Sequence, residues 1–489
     1  YYPSPELVVA PLDFSDENSA MRLAYKMNIY ATDPLIGKTV YVDALTGALL
    51  FTLELIQDAD AVGTAVTRYS GIQTITTDSV APDLFRLRET GRGGGVETYN
   101  MKKLVSYGTA ADYTDSNNYW DTTNTNQDQA IPDAHWGAEM TYDYYIQKHN
   151  RNSYDNKGTK LVSYVHFAVN YINAFWNGTY MTYGDGNGTS YKTLTSLDIV
   201  GHEMTHGVTQ NSAGLIYQNE SGALNESFSD IFGVSIEHFA KPSSSNWLMA
   251  DEIATPAFRS MSDPKSFTDP DTYKGQYYYI GTQDYGGVHS NSGVQNFWFY
   301  VLAMGDTGTN DYNRNYQVAG IGRDNAAKIA YRNLTVYLGK NSRYIDAREG
   351  AICAAEDLFG MCSAEVFETA KAWYAVGVGD PIADNDVRLI SVTVPISKCG
   401  LTASENISFL FRNRGCTTLS GGDTIFATYR LDTLTIATDT ILLPSPMLPG
   451  DSLYWTSTKP ADFSAVGLHV IDGWINHHGD TLNLSLIHI

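Results

Sequence analysis

The segment His202-Glu203-Met204-Thr205-His206 has the residue types and spacing best suited to chemistry. On a helix, residues four apart share a face, so both imidazoles can reach one ion. Zinc accepts histidine nitrogen at about 2.0–2.1 Å and prefers four ligands, and a catalytic site leaves one of the four positions for water. Leu197, Val200 and Met204 give the helix an apolar side, while the two histidines need polar partners. Asn225-Glu226-Ser227-Phe228-Ser229-Asp230 follows on a second helical stretch and sets two carboxylates at i and i+4. Glu226 can supply a third ligand. Asp230 can accept the outer N–H of one ligand histidine and fix its tautomer, and Asn225 can do the same for the other. Glu203, offset along its helix, cannot reach the same ion but can take a proton from a metal-activated water. Alone, a Glu-x-x-x-Asp pair is a solvated helix face and two spaced histidines a satisfied pair. At this mutual spacing they read as a metal site built for hydrolysis.

The elements that must position these residues divide the chain. Residues 21–31 alternate with a strand period, residues 40–42 and 48–55 are further strands, and Asp43-Ala-Leu-Thr-Gly47 is a turn between them. Residues 60–190 are rich in Tyr, Thr, Gly and Asn and read as strands, interrupted by one helix over 133–148 with Asp133 as its N-cap. From Thr195 the texture is helical, with periodic stretches at 197–209, 223–239, 288–304, 324–337, 344–358 and 364–376. Gly377-Val-Gly-Asp-Pro381 ends that half, and strands at 387–394, 406–411, 424–429, 433–443 and 466–475 suggest a β-sandwich. The expected fold is therefore α+β with a C-terminal all-β sandwich.

Gly201-His-Glu-Met-Thr-His-Gly207 together with Gly222-Ala-Leu-Asn-Glu-Ser-Phe-Ser-Asp230 resembles the thermolysin-like zinc metalloendopeptidases, a likeness that extends from about residue 60 to 380. The resemblance implies a two-lobed catalytic unit, β-rich over 59–195 and helical over 196–380, with zinc held by His202, His206 and Glu226 and with Glu203 as general base. Asn173-Ala-Phe-Trp-Asn-Gly178 is similar to the family's edge strand, which implies that Asn173 and Ala174 hold substrate backbone. Tyr217 and His289 match the groups that stabilise the oxyanion, Asp284 the residue that orients His289, and Arg259 the arginine that binds a substrate carbonyl. Asp198, Glu237, Asn246 and Asp251 fall at the family's calcium positions. Leu248 stands where an acidic ligand is usual and offers only its carbonyl, so one structural calcium is implied rather than two. Residues 1–58 resemble the end of the family's inhibitory propeptide, an intramolecular inhibitor and folding aid, and residues 387–489 an accessory module. The implied protein is a secreted proenzyme, monomeric, that cuts polypeptide substrates before bulky apolar residues.

The remaining composition agrees. A formal charge of -22 argues against nucleic acid as a partner, and no apolar run is long enough to span a membrane. Four cysteines in two close pairs suggest disulfides Cys353–Cys362 and Cys399–Cys416 in an oxidising compartment. Both ends look cut, since the sequence starts at Tyr1 with no signal peptide in view and residues 484–489 read as translated transposon adapter, so the natural chain is expected to run on. Two rival readings have discriminating features. An aminopeptidase sharing H-E-x-x-H carries a Gly-x-Met-Glu-Asn segment for the free amine, which is missing here, and a non-catalytic metal binder has no need of Glu203, Tyr217 and His289.

Overall fold

The computed structural model describes residues 3–12, 19–32, 35–54, 60–81, 83–122, 128–395, 400–432, 434–467, 469–477 and 487–488. Cys399 and most of the 484–489 hexapeptide lie outside them. The chain forms two compact units, one of residues 1–269, 280–296 and 339–341, the other of residues 270–279, 297–338 and 342–489.

The first unit begins with a four-stranded antiparallel sheet, Glu6–Pro11, Met21–Thr32, Leu35–Asp43 and Leu49–Glu54. Asp43 makes the expected turn, its Oδ1 accepting from the backbone N–H of Leu45 and Thr46 at 2.8 and 2.9 Å. Two larger sheets follow. One runs through Asp60–Val66 and Ile72–Ala81. The other runs through Val96–Asn100, Leu161–Val165 and Met181–Tyr183 and ends on the short strand Ala174–Trp176. Helix α1, Ala130–His149, packs on both. It starts earlier than expected, and Asp133 is not its cap. Asp133 is buried inside the first turn and accepts the backbone N–H of Arg68 at 2.7 Å, so it ties helix to strand connection.

Helices α2, Leu197–Gln210, and α3, Asn219–Ala240, cross closely because glycine stands at the crossing. A Cβ on Gly201 would come 2.8 Å from Ile236 Cδ1, and one on Gly233 would come 2.6 Å from the carbonyl oxygen of Asp198. Larger residues would push the helices apart and with them the side chains they present. α3 begins four residues before its apolar periodicity does. The stretch expected as one helix over 288–304 is two pieces, α4, Asp284–Asn291, and α5, Gly293–Met304. Within α4, Tyr285, Gly286 and Gly287 all have positive φ.

The second unit contains α6, Arg323–Arg332, which closes in a π-turn over Asn333–Tyr337, then α7, Tyr344–Phe359, and α8, Ala364–Ala375. Trp298 and Trp373 stack at 4.8 Å in its helical core. The C-terminal strands form two sheets, Val387–Val394 with Ser408–Asn413 and Ser452–Thr456, and Thr424–Leu431 with Leu434–Leu442, Ile471–His477 and Ile487–His488. Phe409, Phe411, Tyr429, Ile425 and Trp455 fill the space between them, a sandwich core. The strand Ser452–Thr456 was not expected from the sequence.

The disulfide pairing is a correction. Cys362 bonds Cys416, 54 residues away, and Cys353 is free, its Sγ 3.9 Å from Arg414 Nη2. Closeness in sequence misled here. Cys353 lies within α7 and Cys362 beyond its end, and the sandwich strand ending at Asn413 brings Cys416 to the latter. Among the described residues no helix is long and apolar enough to cross a membrane.

Candidate metal centre

α2 presents His202 and His206 on one face, and their rings meet edge to face with centroids 4.7 Å apart. The Nε2 atoms stand 3.1 Å from each other. Glu226, wholly buried on α3, brings Oε2 to 3.5 Å from His202 Nε2 and Oε1 to 3.4 Å from His206 Nε2. Ligands at 2.0–2.1 Å around a tetrahedral ion stand about 3.3–3.4 Å apart, so this triangle of side chains has separations of the size found between zinc ligands. Glu226 Oε2 is buried without a hydrogen-bond partner, a position that is costly unless a cation takes it. Among the described residues, this is the one group of three or more His, Cys, Asp or Glu side chains whose ligand atoms all lie within 4.8 Å of one another.

The outer nitrogens are held as the sequence suggested. His202 Nδ1–H donates to Asp230 Oδ1 at 2.9 Å, and His206 Nδ1–H to Asn225 Oδ1 at 2.8 Å. Both bonds turn the lone pair of Nε2 toward Glu226. Burial pulls His206 below the usual imidazole value, favouring the neutral form a metal needs. Asp230 is itself clamped. Arg259 donates Nε and Nη2 to its two oxygens at 2.8 and 2.6 Å, and Asn296 donates at 2.8 Å. Burial opposes ionisation of Asp230, but Arg259 and His202 hold its carboxyl far below the usual range. Burial likewise opposes ionisation of Glu226, yet His289, His206, His202 and Arg259 lower it to about 2. Glu203 behaves in the opposite way. Burial, reinforced by Glu226, raises it to about 7 despite the pull of His206. Two carboxylates of one site are thus driven apart, one fixed as an anion and one poised to exchange a proton.

Facing them are Tyr217 and His289. Tyr217 OH donates to Glu226 Oε1 at 2.5 Å and lies 3.1 Å from His289 Nε2. Asp284 accepts both the backbone N–H and Nδ1–H of His289, at 2.9 and 2.6 Å. That double grip depends on the positive φ at residues 284–287. A Cβ on Gly286 would lie 2.2 Å from Asn219 Oδ1, so only glycine fits. Tyr285 at φ 50° stores strain of about 1–3 kcal/mol beside the site. His202, Glu203, His206, Tyr217, Glu226 and His289 open on a cavity of about 750 Å³ that runs along the edge strand Ala174–Trp176 and is also lined by Asn173, Arg259 and Lys340.

The residues expected at the calcium site are partly assembled. Asp198 Oδ1 accepts from Ser196 and from the Ile199 N–H, and its Oδ2 from the Ala250 N–H. Asn246 donates to Asp251 Oδ2 at 2.8 Å and accepts from the Leu248 N–H. Burial and the neighbouring Asp198 raise the Glu237 carboxyl, and its Oε2 is buried without a partner, features that suit a bound cation. Lys241 Nζ lies 3.0 Å from the other Glu237 oxygen, a counter-charge the sequence reading missed. Also missed were Ser229, 3.2 Å from His206 Nδ1, and Asn296 behind Asp230. Asn296 had a readable signal, since Gln295-Asn296 is a polar pair inside the otherwise apolar α5.

Fold and site together define an α+β protein whose His202, His206 and Glu226 could hold one metal ion beside a poised carboxylate. The descriptions "Thermolysin metallopeptidase, catalytic domain" and "Thermolysin metallopeptidase, alpha-helical domain" match residues 62–210 and 213–378. Bacillolysin of Brevibacillus brevis is 43% identical over 364 residues, covering 73% of this chain and 64% of that protein. The thermostable neutral protease NprT of Geobacillus stearothermophilus is 39% identical over 394 residues, covering 76% and 68%. Among solved structures, the precursor of protealysin, a metalloproteinase from Serratia proteamaculans, is 30% identical over 58% of this chain and 87% of that one, with a TM-score of 0.49. The chain belongs to the thermolysin metallopeptidase family, whose members are zinc enzymes with structural calcium. It spans about two thirds of the length of the curated relatives it matches, 64% of the first and 68% of the second.

Proposed function

We propose that this chain is a secreted zinc endopeptidase, made as a proenzyme, that hydrolyses internal peptide bonds with Glu203 as general base. The convergence of His202, His206 and Glu226 within one cavity that also holds Glu203 supports this reading most directly. Those three residues would hold zinc, which when bound supplies a Lewis acid that polarises the scissile carbonyl and acidifies water. Glu203, raised to about 7, takes a proton from the attacking water and returns it to the leaving amine. Tyr217 and His289 donate to the oxygen that gains charge, and Asp284 keeps His289 aimed. Substrate backbone extends the sheet at Ala174–Trp176, with Asn173 and Ala174 as its contacts and Arg259 beside the carbonyl that follows. Leu194, Ile199 and Phe258 give the Asn173 end of the cavity an apolar wall, which suits a bulky apolar residue after the cut.

Asp198, Glu237, Asn246, Asp251 and the Leu248 carbonyl would hold the calcium. Residues 1–58 are read as the end of the propeptide that inhibits and assists folding, and the active form as a monomer. Glu203→Gln is the test. Metal content should stay at the wild-type level while casein cleavage falls by about 10²–10⁴-fold or more. Undiminished cleavage by the variant would overturn the mechanism. Failure of the wild type to cleave after removal of residues 1–58 would favour a binding protein instead.

A further inference from the structure

The cavity has two unlike ends. Asn173 accepts from the Gly184 N–H and Gly184 accepts from the Leu194 N–H, which ties the start of the edge strand to the apolar wall. At the other end Trp176 Nε1 donates to Gln210 at 2.8 Å, and Gln210 at the end of α2 leads to Gly214 and then Lys340. The Lys340 carbonyl accepts the Ile216 N–H at 2.9 Å, which fixes its backbone beside the segment carrying Tyr217. Its stem crosses Gly214, where a Cβ would stand 3.7 and 3.8 Å from its Cγ and Cε. Lys340 is exposed, lines the cavity and takes no ion pair among the described residues. Arg259, the other full cation of the lining, is committed to Asp230. In a chain of net charge -22, one uncommitted ammonium at the mouth of the cleft changes the local field sharply.

Antiparallel pairing is the more stable way to extend a sheet. A peptide laid antiparallel on Ala174–Trp176 enters at the Trp176 end, so residues before the cut bond pass Lys340 and residues after it meet the apolar wall. We propose that Lys340 makes the cleft select peptides carrying a carboxylate side chain on the N-terminal side of the cut bond, an inference that rests on the peptidase reading.

The test uses peptides identical except for Asp or Lys two or three residues before the cut. In wild type the ratio of kcat/KM for Asp over Lys should be about fivefold at low ionic strength and shrink as salt is added. Lys340→Met should bring the ratio near unity and Lys340→Glu should invert it. The same labelled peptides bound to Glu203→Gln and to Glu203→Gln/Lys340→Glu, read by fluorescence anisotropy, report the preference without turnover. A ratio unchanged by Lys340→Glu in both readouts overturns the assignment and leaves the peptidase reading standing. Inverted binding without any turnover supports Lys340 and counts against the peptidase reading. Absence of peptide binding in every variant overturns both.

Discussion

His166 sits between Asp128 and Asp185, with one carboxylate on each ring nitrogen, whereas His202 and His206 each turn only Nδ1 to an acceptor. Both clusters lie in the first unit, and both set buried imidazole beside acid. In the first, no lone pair is left over. Burial opposes charge on His166, but Asp128 and Asp185 hold it up at about 9, so the cluster is a charged bridge between loops. In the second, two Nε2 atoms and the Glu226 carboxylate stand 3.1–3.5 Å from one another, and Glu226 Oε2 has no hydrogen-bond partner. Histidine near carboxylate is therefore no metal signature by itself. What distinguishes the site is that each outer nitrogen is held by polar partners on α3 while each inner nitrogen meets only its fellow ligands.

Three experiments press on this contrast. Glu226→Ala removes the only carboxylate of the triangle. Bound zinc, measured by mass spectrometry, should fall from about one ion per chain to background, and peptide cleavage with it. Retention of stoichiometric zinc would show that the triangle is not the site. Asp230→Asn keeps the triangle but loosens His202 and leaves Arg259 without its partner. Metal affinity or activity should drop by about 10–100-fold, and thermal stability should fall because a buried charge has lost its counter-ion. His166→Gln should leave zinc and activity intact and act only on stability. The folded-state value of about 9 lies above the unfolded value of 6.5, so the bridge stabilises fully below pH 6.5 and is lost as pH rises through 9. Wild type should therefore lose about 3 kcal/mol across that window, a loss absent from His166→Gln in urea titrations. Parallel curves for the two proteins would remove the bridge from the account.

The convergence of His202, His206 and Glu226 was legible because its information is local. Two histidines at i and i+4 share a face wherever a helix forms, and Asn225, Glu226 and Asp230 repeat that logic one helix later. The α+β order and the C-terminal sandwich were legible from periodicity. Features set by distant chain were not. Asp133 has the look of a cap and instead meets Arg68, 65 residues away. Cys362 pairs across 54 residues rather than with its near neighbour. The break ahead of Val288 falls at Gly286-Gly287, where Asn219 packs close, but the positive φ at Tyr285 has no signal in residue type. Lys340 lies beyond every motif, in a loop that only the fold returns to the cleft.

The bridge between Cys362 and Cys416 joins the connection after α7 to the sandwich, and Arg388 and Arg414 of the sandwich reach back to Glu349 and Glu356 on α7. A nick in the stretch 379–386 would thus cut the polypeptide without freeing the C-terminal piece. On a denaturing gel the nicked protein would migrate as one species until a thiol is added and as two afterwards. An apparently intact band would then conceal a chain already in two pieces.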